Sequence, residues 1–206
     1  MFNNLINQEH IKRIQEHYLP LIQQHGSTFR AVDWGSSWGQ TIRFQVLLEV
    51  ADVLNDSILD IGCGVGHLVE YLAKIGYGGN YIGIDTLPEM IAAACAYYPN
   101  WQFQEGNILN SETKWQADYV LGSGLFTFGD KQLMQMTVKA MFNTCNQALA
   151  FNSLSSWGTQ KESGEFYADP LATVKFCRTL TPWVILRHDY MQHDFTIYMY
   201  RESHYR

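Results

Sequence analysis

Apolar residues Ile11, Ile14, Tyr18, Leu21 and Ile22 recur at helical spacing, which predicts an amphipathic helix over residues 8–24 that stops at Gly26. The stretch that follows, residues 29–38, is rich in Gly and Ser and carries Trp34 and Trp38, so it reads as a loop able to close over a ligand. Phe44, Leu47, Leu48 and Val50 mark a second helix over about 38–54, one turn of which presents Gln40 and Arg43 together. From there the pattern changes to short apolar runs that alternate with helical ones. Strands are expected at 56–61, 80–85, 101–107, 117–124 and 146–152, with helices between them near 65–76, 87–97 and 130–144. Such alternation predicts a parallel sheet covered on both faces.

Two features depart from that rhythm. Residues 153–168 are polar and glycine-bearing yet contain Trp157, Phe166 and Tyr167, as lids and binding loops commonly do. After a helix near 170–179, the runs 182–189 and 194–201 flank Tyr190–His193. In the second of these runs Phe195, Ile197 and Met199 alternate with Thr196, Tyr198 and Tyr200, the period of a β-hairpin.

The chemistry is concentrated where strands end. Residues 56–66 run from an apolar strand straight into Asp60-x-Gly62-x-Gly64-x-Gly66, a turn in which glycines without Cβ let a ligand lie on bare main chain. A dinucleotide fingerprint needs another glycine three places after the second, and His67 stands there instead. The carboxylate of Asp60 would repel a pyrophosphate and attract an ammonium. Asp85 ends the next strand, where an acid can take both ribose hydroxyls. Gly106-Asn107 and Ser123-Gly124 end the third and fourth strands, so four strand ends converge on one crevice.

On these residues the chain resembles the class I S-adenosylmethionine-dependent methyltransferases over roughly residues 30–201. The resemblance implies an α/β fold, a Rossmann-like seven-stranded, mostly parallel sheet with a C-terminal antiparallel hairpin, here with an N-terminal helical lid. It implies that Asp60, Gly62, Cys63, Gly64 and Gly66 cradle the amino acid end of S-adenosylmethionine, and that Asp85 binds its ribose. Thr86, Leu87 and Met90 would border the adenine, beside Gly106, Asn107 and Ile108. Asn107 replaces the usual Asp, but its amide oxygen can still accept from the adenine amino group. Ser123 and Gly124 would face the methionine part. Trp34-Gly-Ser-Ser-x-x-Gln40-x-x-Arg43 is similar to a segment of short bacterial members, where Arg43 would hold the cofactor carboxylate bidentately and Gln40 would add a hydrogen bond.

Composition narrows the partners. A 206-residue chain with 47% hydrophobic residues fits one domain, with residues 1–40 as helix and lid and 41–206 as the cofactor-binding core. A net charge of −6 with only 14 scattered Lys and Arg argues against nucleic acid. The first residues lack a signal peptide, no apolar run reaches a membrane span, and the four cysteines lie far apart. A cytoplasmic monomer or homodimer with reduced thiols is expected, with no metal, since no His and acid cluster has zinc spacing. Cys63 reads as a small filler rather than a nucleophile.

Methyl transfer from a sulfonium is an in-line displacement in which the protein mainly aligns and desolvates. Trp34, Trp38, Phe126, Phe128, Trp157, Phe166 and Tyr167 are candidate aromatic walls for the cation, and Tyr167 is the candidate general base. His67 opens the helix after the glycine loop, a position where contact with ligand competes with a plain surface role. A small-molecule acceptor is expected under loops 26–38, 124–130 and 153–168. Two alternatives share the same cofactor grip. Azetidine-2-carboxylate synthases, which close the cofactor's own amino group onto its γ-carbon and expel methylthioadenosine, look like short methyltransferases of this kind. A non-catalytic cofactor-binding subunit is the other.

Overall fold

The computed structural model describes residues 2–110 and 114–203. One seven-stranded sheet organises them, in the order β3-β2-β1-β4-β5-β7-β6. The strands are β1 (Ile58–Ile61), β2 (Tyr81–Asp85), β3 (Gln102–Glu105), β4 (Ala117–Gly122), β5 (Cys145–Leu154), β6 (Val184–Met191) and β7 (Asp194–Tyr200). The first five pair in parallel, and β7 enters antiparallel between β5 and β6. The expected α/β architecture and terminal hairpin are therefore present.

Alternation along the strands feeds two cores, one per face. Ile58, Ala148, Ala150, Tyr198 and Tyr200 meet α2 (Ser37–Leu48) and α3 (Leu68–Lys74) through Leu47, Leu68 and Leu72. Leu59, Ile61, Leu149, Phe151 and Ile197 turn to the other face, against Met134, Val138 and Met141 of α5 (Lys131–Thr144) and Cys177 of α6 (Pro170–Cys177). Burial of both faces explains why the central strands are apolar throughout. Side-chain caps set the helix starts: Ser36 accepts from the Gly39 amide, Asp130 from Leu133 and Asp169 from Ala172.

Several boundaries differ from the sequence expectation. The second helix stops at Leu48 instead of 54, because the hydroxyls of Tyr198 and Tyr200 donate to the carbonyls of Val46 and Val50. Those hydroxyls take the place of helical amides, while Val50 and Val53 stay buried. The loop after the first helix contains a short 3-10 turn, Phe29–Val32, closed by Asp33 in the left-handed region at φ 57°. β6 extends to Met191, which shortens the hairpin turn.

The first helix, α1 (Phe2–His25), lies outside the two cores. Ile14, Tyr18 and Ile22 pack on Ala31, Val65, Leu87 and Met90, placing the helix over the glycine loop and over α4 (Pro88–Tyr97). Arg13 donates to the carbonyls of Phe128 and Gly164, and His17 hydrogen-bonds Asp33 at 2.7 Å. The helix is thus tied to the loops that follow β4 and β5. Among the described residues no helix is long and apolar enough to cross a membrane, and no group of His, Cys, Asp or Glu could hold a metal ion.

Candidate functional site

A cavity of about 1250 Å³, mouth included, opens where the C-terminal ends of β1, β2, β3 and β4 meet the underside of α1. Open α/β sheets bind ligands at this end, where the strand order reverses between β1 and β4. The chain leaves β1 through Gly62, Gly64 and Gly66, at φ 67°, 56° and 88°, a left-handed path that β-carbons resist. Gly62, Cys63 and Gly64 line the cavity. Gly66 does not: a Cβ there would come within 2.9 Å of Phe103, so this glycine serves the packing of helix on strand.

Asp85 closes the loop from the side. One carboxylate oxygen accepts from the Gly64 amide at 3.0 Å and the other from the Leu87 amide at 2.9 Å. Asp85 also lines the cavity. Burial pushes its pKa up, while the amides of Leu87, Gly64 and Thr86 pull it back. Asp60 is 4% exposed and accepts from the Tyr81 hydroxyl at 2.8 Å. Burial, with Asp85 nearby, raises its carboxyl to about 7 against the pull of that hydrogen bond. Burial likewise pushes the Cys63 thiol up, which makes it an inert filler.

The remaining walls fall into three groups. Thr86, Leu87 and Met90, with Gly106, Asn107 and Ile108, form one end. Asn107 Oδ1 accepts from the Leu109 amide at 2.9 Å. Ser123 and Gly124 sit at the end of β4, organised by Asn152 of β5, whose Oδ1 takes the Gly124 amide at 2.9 Å and whose Nδ2 donates to Ser123 Oγ at 3.0 Å. Trp34 and Gln40 form the third group. Gln40 Nε2 lies 3.0 Å from His67 Nδ1, and His67 Nε2 bonds the Ser27 carbonyl. A carbonyl only accepts, so the proton is on Nε2 and Nδ1 accepts from Gln40.

Arg43 and Tyr167 are placed elsewhere. The Arg43 guanidinium forms a buried ion pair with Asp194 at the start of β7, and lies 4.5 Å over the Trp34 ring. It is one residue removed from the cavity, behind Trp34, so its charge is already matched before any ligand arrives. Tyr167 donates to Glu165 and accepts from the Glu162 amide at 2.8 Å within its own loop, off the cavity wall. Burial and the Glu165 hydrogen bond raise its pKa, the wrong direction for a proton acceptor. Of the aromatic candidates, Trp34, Phe126 and Phe128 reach the cavity. Trp38 is exposed, and Trp157 lies against His188 at the hairpin with the two rings tilted at 48°.

Sequence reasoning missed Asn152, Leu125 and His10. Asn152 ends an apolar strand, and a polar residue there was the available signal. Leu125 lies on the bare faces of Gly62 and Gly122, which no local pattern reveals. His10 lines the cavity four residues before Ile14, on the same helix face.

Comparison with known proteins bears on the family and the fold. A methyltransferase-domain family profile matches residues 58–148. A Mycobacterium tuberculosis protein that carries methyltransferase as a provisional name is 32% identical over 157 residues, 71% of this chain and 94% of that one. Demethylmenaquinone methyltransferase of Chlorobaculum parvum is 39% identical, but over 67 residues, 32% of this chain and 27% of that one. The structure of magnesium protoporphyrin IX methyltransferase from Synechocystis with bound SAH superposes at a TM-score of 0.69 and 12% identity, covering 97% of this chain and all (100%) of that one. The N-methyltransferase NodS of Bradyrhizobium japonicum gives 0.61 at 18% identity, with 82% and 100% covered. At such identities the two structures are similar to this one in fold.

Proposed function

We propose that this chain, which belongs to the class I S-adenosylmethionine-dependent methyltransferase family, binds S-adenosylmethionine across its four strand ends and directs the methyl group to a small-molecule acceptor under α1. The observation that carries the reading is Asp85. Its two oxygens hold the glycine loop by one amide and the next helix by another, and the residue lines the cavity at the end of β2, where an acid can take ribose hydroxyls. When bound, the cofactor supplies a methyl group already activated on a sulfonium.

The residues divide the remaining work. Thr86, Met90, Gly106 and Ile108 shape the adenine end, with Asn107 accepting from its amino group. Asp60 meets the ammonium, and Gly62, Cys63 and Gly64 let the methionine chain lie on the loop. Gln40 Nε2 gives one hydrogen to His67 and has a second N–H to donate to the carboxylate. Arg43 acts on this end through Trp34, which it stacks against, because Asp194 already occupies its guanidinium. Asn152 fixes Ser123 and Gly124 under the reacting centre; a Cβ on Gly124 would come 3.3 Å from Trp34, so the glycine keeps that passage open. The lining continues from the strand ends to the underside of α1, past the residues given to the cofactor, which supports a second molecule beside it.

Calorimetry with S-adenosylmethionine tests the assignment. Asp85→Ala should weaken binding at least tenfold, roughly 1.4 kcal/mol or more, and unchanged affinity refutes the site. Mass spectrometry of products separates the chemistry: S-adenosylhomocysteine formed only with an added acceptor fits methyl transfer, whereas methylthioadenosine formed from cofactor alone points to ring closure instead.

A further inference from the structure

The cavity extends past the strand ends into a second half, roofed by α1 and walled by the loop between β4 and α5. Ile11, Ile14, Phe126, Phe128 and Leu133 make this half apolar and aromatic. His10 is the one imidazole among the described residues there; His67, the other on the wall, is spoken for by Gln40 and Ser27. We propose that this half is the acceptor subsite, that it takes an uncharged aromatic compound bearing an O–H or N–H group, and that His10 receives the proton this group loses.

The charge of the acceptor follows from what the walls lack. Arg13, on the same helix, turns its guanidinium to the carbonyls of Phe128 and Gly164, and Arg43 is paired with Asp194. Among the described residues, no Lys or Arg lines the cavity to meet an anionic acceptor. The carboxylates of Asp60 and Asp85 stand at the strand ends, which the proposed function gives to the cofactor, so a cationic acceptor finds no partner either. A charge buried without a partner is costly, and a neutral ring against Phe126 and Phe128 is not. This step of the argument rests on the cofactor reading above.

The role of His10 follows from its place on the wall. His10 lines the cavity, and the ring nitrogen of a neutral imidazole that carries no proton holds a lone pair. Burial and Arg13 lower its pKa, against the Phe128 carbonyl and Asp130 at the cap of α5, so the imidazole is neutral at physiological pH. In the transfer, the acceptor heteroatom forms a bond to the methyl carbon and the carbon–sulfur bond breaks with its electron pair going to sulfur. The acceptor proton passes to the free nitrogen of His10, giving an imidazolium that returns it to water.

Fluorine NMR with three probes of one shape tests this: 4-fluorophenol, 4-fluorobenzoate and 4-fluorobenzylammonium, titrated into the full chain with and without S-adenosylhomocysteine. The phenol should bind saturably, and both charged probes should bind weaker by roughly tenfold or more. For the native chain, phenol affinity should fall as pH drops below the ordinary imidazole value of 6.5, because an imidazolium cannot accept. His10→Gln should weaken phenol binding at pH 7.5 and flatten that pH profile while keeping its affinity for S-adenosylhomocysteine, which also reports folding. Absence of saturable phenol binding, equal binding of a charged probe, or identical pH profiles for the two chains overturns the proposal. Phenol binding that survives while S-adenosylhomocysteine fails to bind overturns the cofactor reading alone.

Discussion

Replacing Asp60 by Asn should make the ligand-free protein more stable and a worse binder, and the size of the gain can be worked from the site. Asp60 is 4% exposed, with the Tyr81 hydroxyl as its hydrogen-bond donor. Burial lifts its carboxyl from the ordinary 3.8 to about 7. Between those values the folded state holds a proton that the unfolded state has released, so stability falls as pH rises through the window and levels off above it. A gap of roughly 3 pH units at 1.36 kcal/mol each amounts to about 4 kcal/mol by pH 8. Asn has no proton to lose, and its amide oxygen can accept from Tyr81. Asp60→Asn should therefore match the native chain near pH 4 and exceed it by up to about 4 kcal/mol at pH 8, roughly 8–16 °C in melting temperature for a chain of this size. Scanning calorimetry of both ligand-free proteins from pH 4 to 8 reads this directly. A difference that does not grow with pH, or an Asn variant less stable at pH 8, refutes the reasoning. The same variant should bind S-adenosylmethionine more weakly, because an amide cannot balance the ammonium that the ionised carboxylate is placed to meet.

Two further perturbations probe the supports of the site. Asp194→Ala leaves Arg43 buried without its partner, the two side chains being 8% and 2% exposed; the loss should be about 3–5 kcal/mol in urea unfolding, and a loss below 1 kcal/mol, roughly the value of an exposed pair, would refute the buried-pair account. Gly62→Ala forces a Cβ into the left-handed region at φ 67°, 2.2 Å from the Leu125 side chain. It should cost about 1–2 kcal/mol from backbone conformation alone, plus the clash, and Leu125→Ala in the same chain should recover the clash part; no recovery would mean that the strain is entirely in the backbone.

What could be read in the sequence was whatever repeats or ends locally. Alternating strand and helix periods located the parallel strands, and the glycine loop and Asp85 marked a candidate binding edge, because each of these signals is carried by a few neighbouring residues. The 3.6-residue period also put Gln40 and Arg43 on one turn, and both are buried there. It could not distinguish their fates. Gln40 reaches the cavity, whereas Arg43 meets Asp194, a residue 151 positions away that the hairpin carries back into the fold. Helix α2 ended early for a similar reason: the Tyr198 and Tyr200 hydroxyls come from a strand about 150 residues downstream. Long-range pairs of this kind depend on strand order, which periodicity does not encode.

The site is consequently assembled from both ends of the chain. α1 supplies the roof, and β7 supplies the carboxylate that holds Arg43 behind Trp34. Between them, His67 joins the Ser27 carbonyl, just past the roof helix, to Gln40 on α2. Since Nε2 must donate to the carbonyl, Nδ1 is obliged to accept, and that fixes the Gln40 amide with its nitrogen toward His67 and its oxygen turned away. A glutamine beside a generic polar neighbour would have two orientations; here the tautomer of His67 selects one. The placement of the roof and the orientation of a wall residue are thereby coupled through a single imidazole, so displacing α1 also releases Gln40.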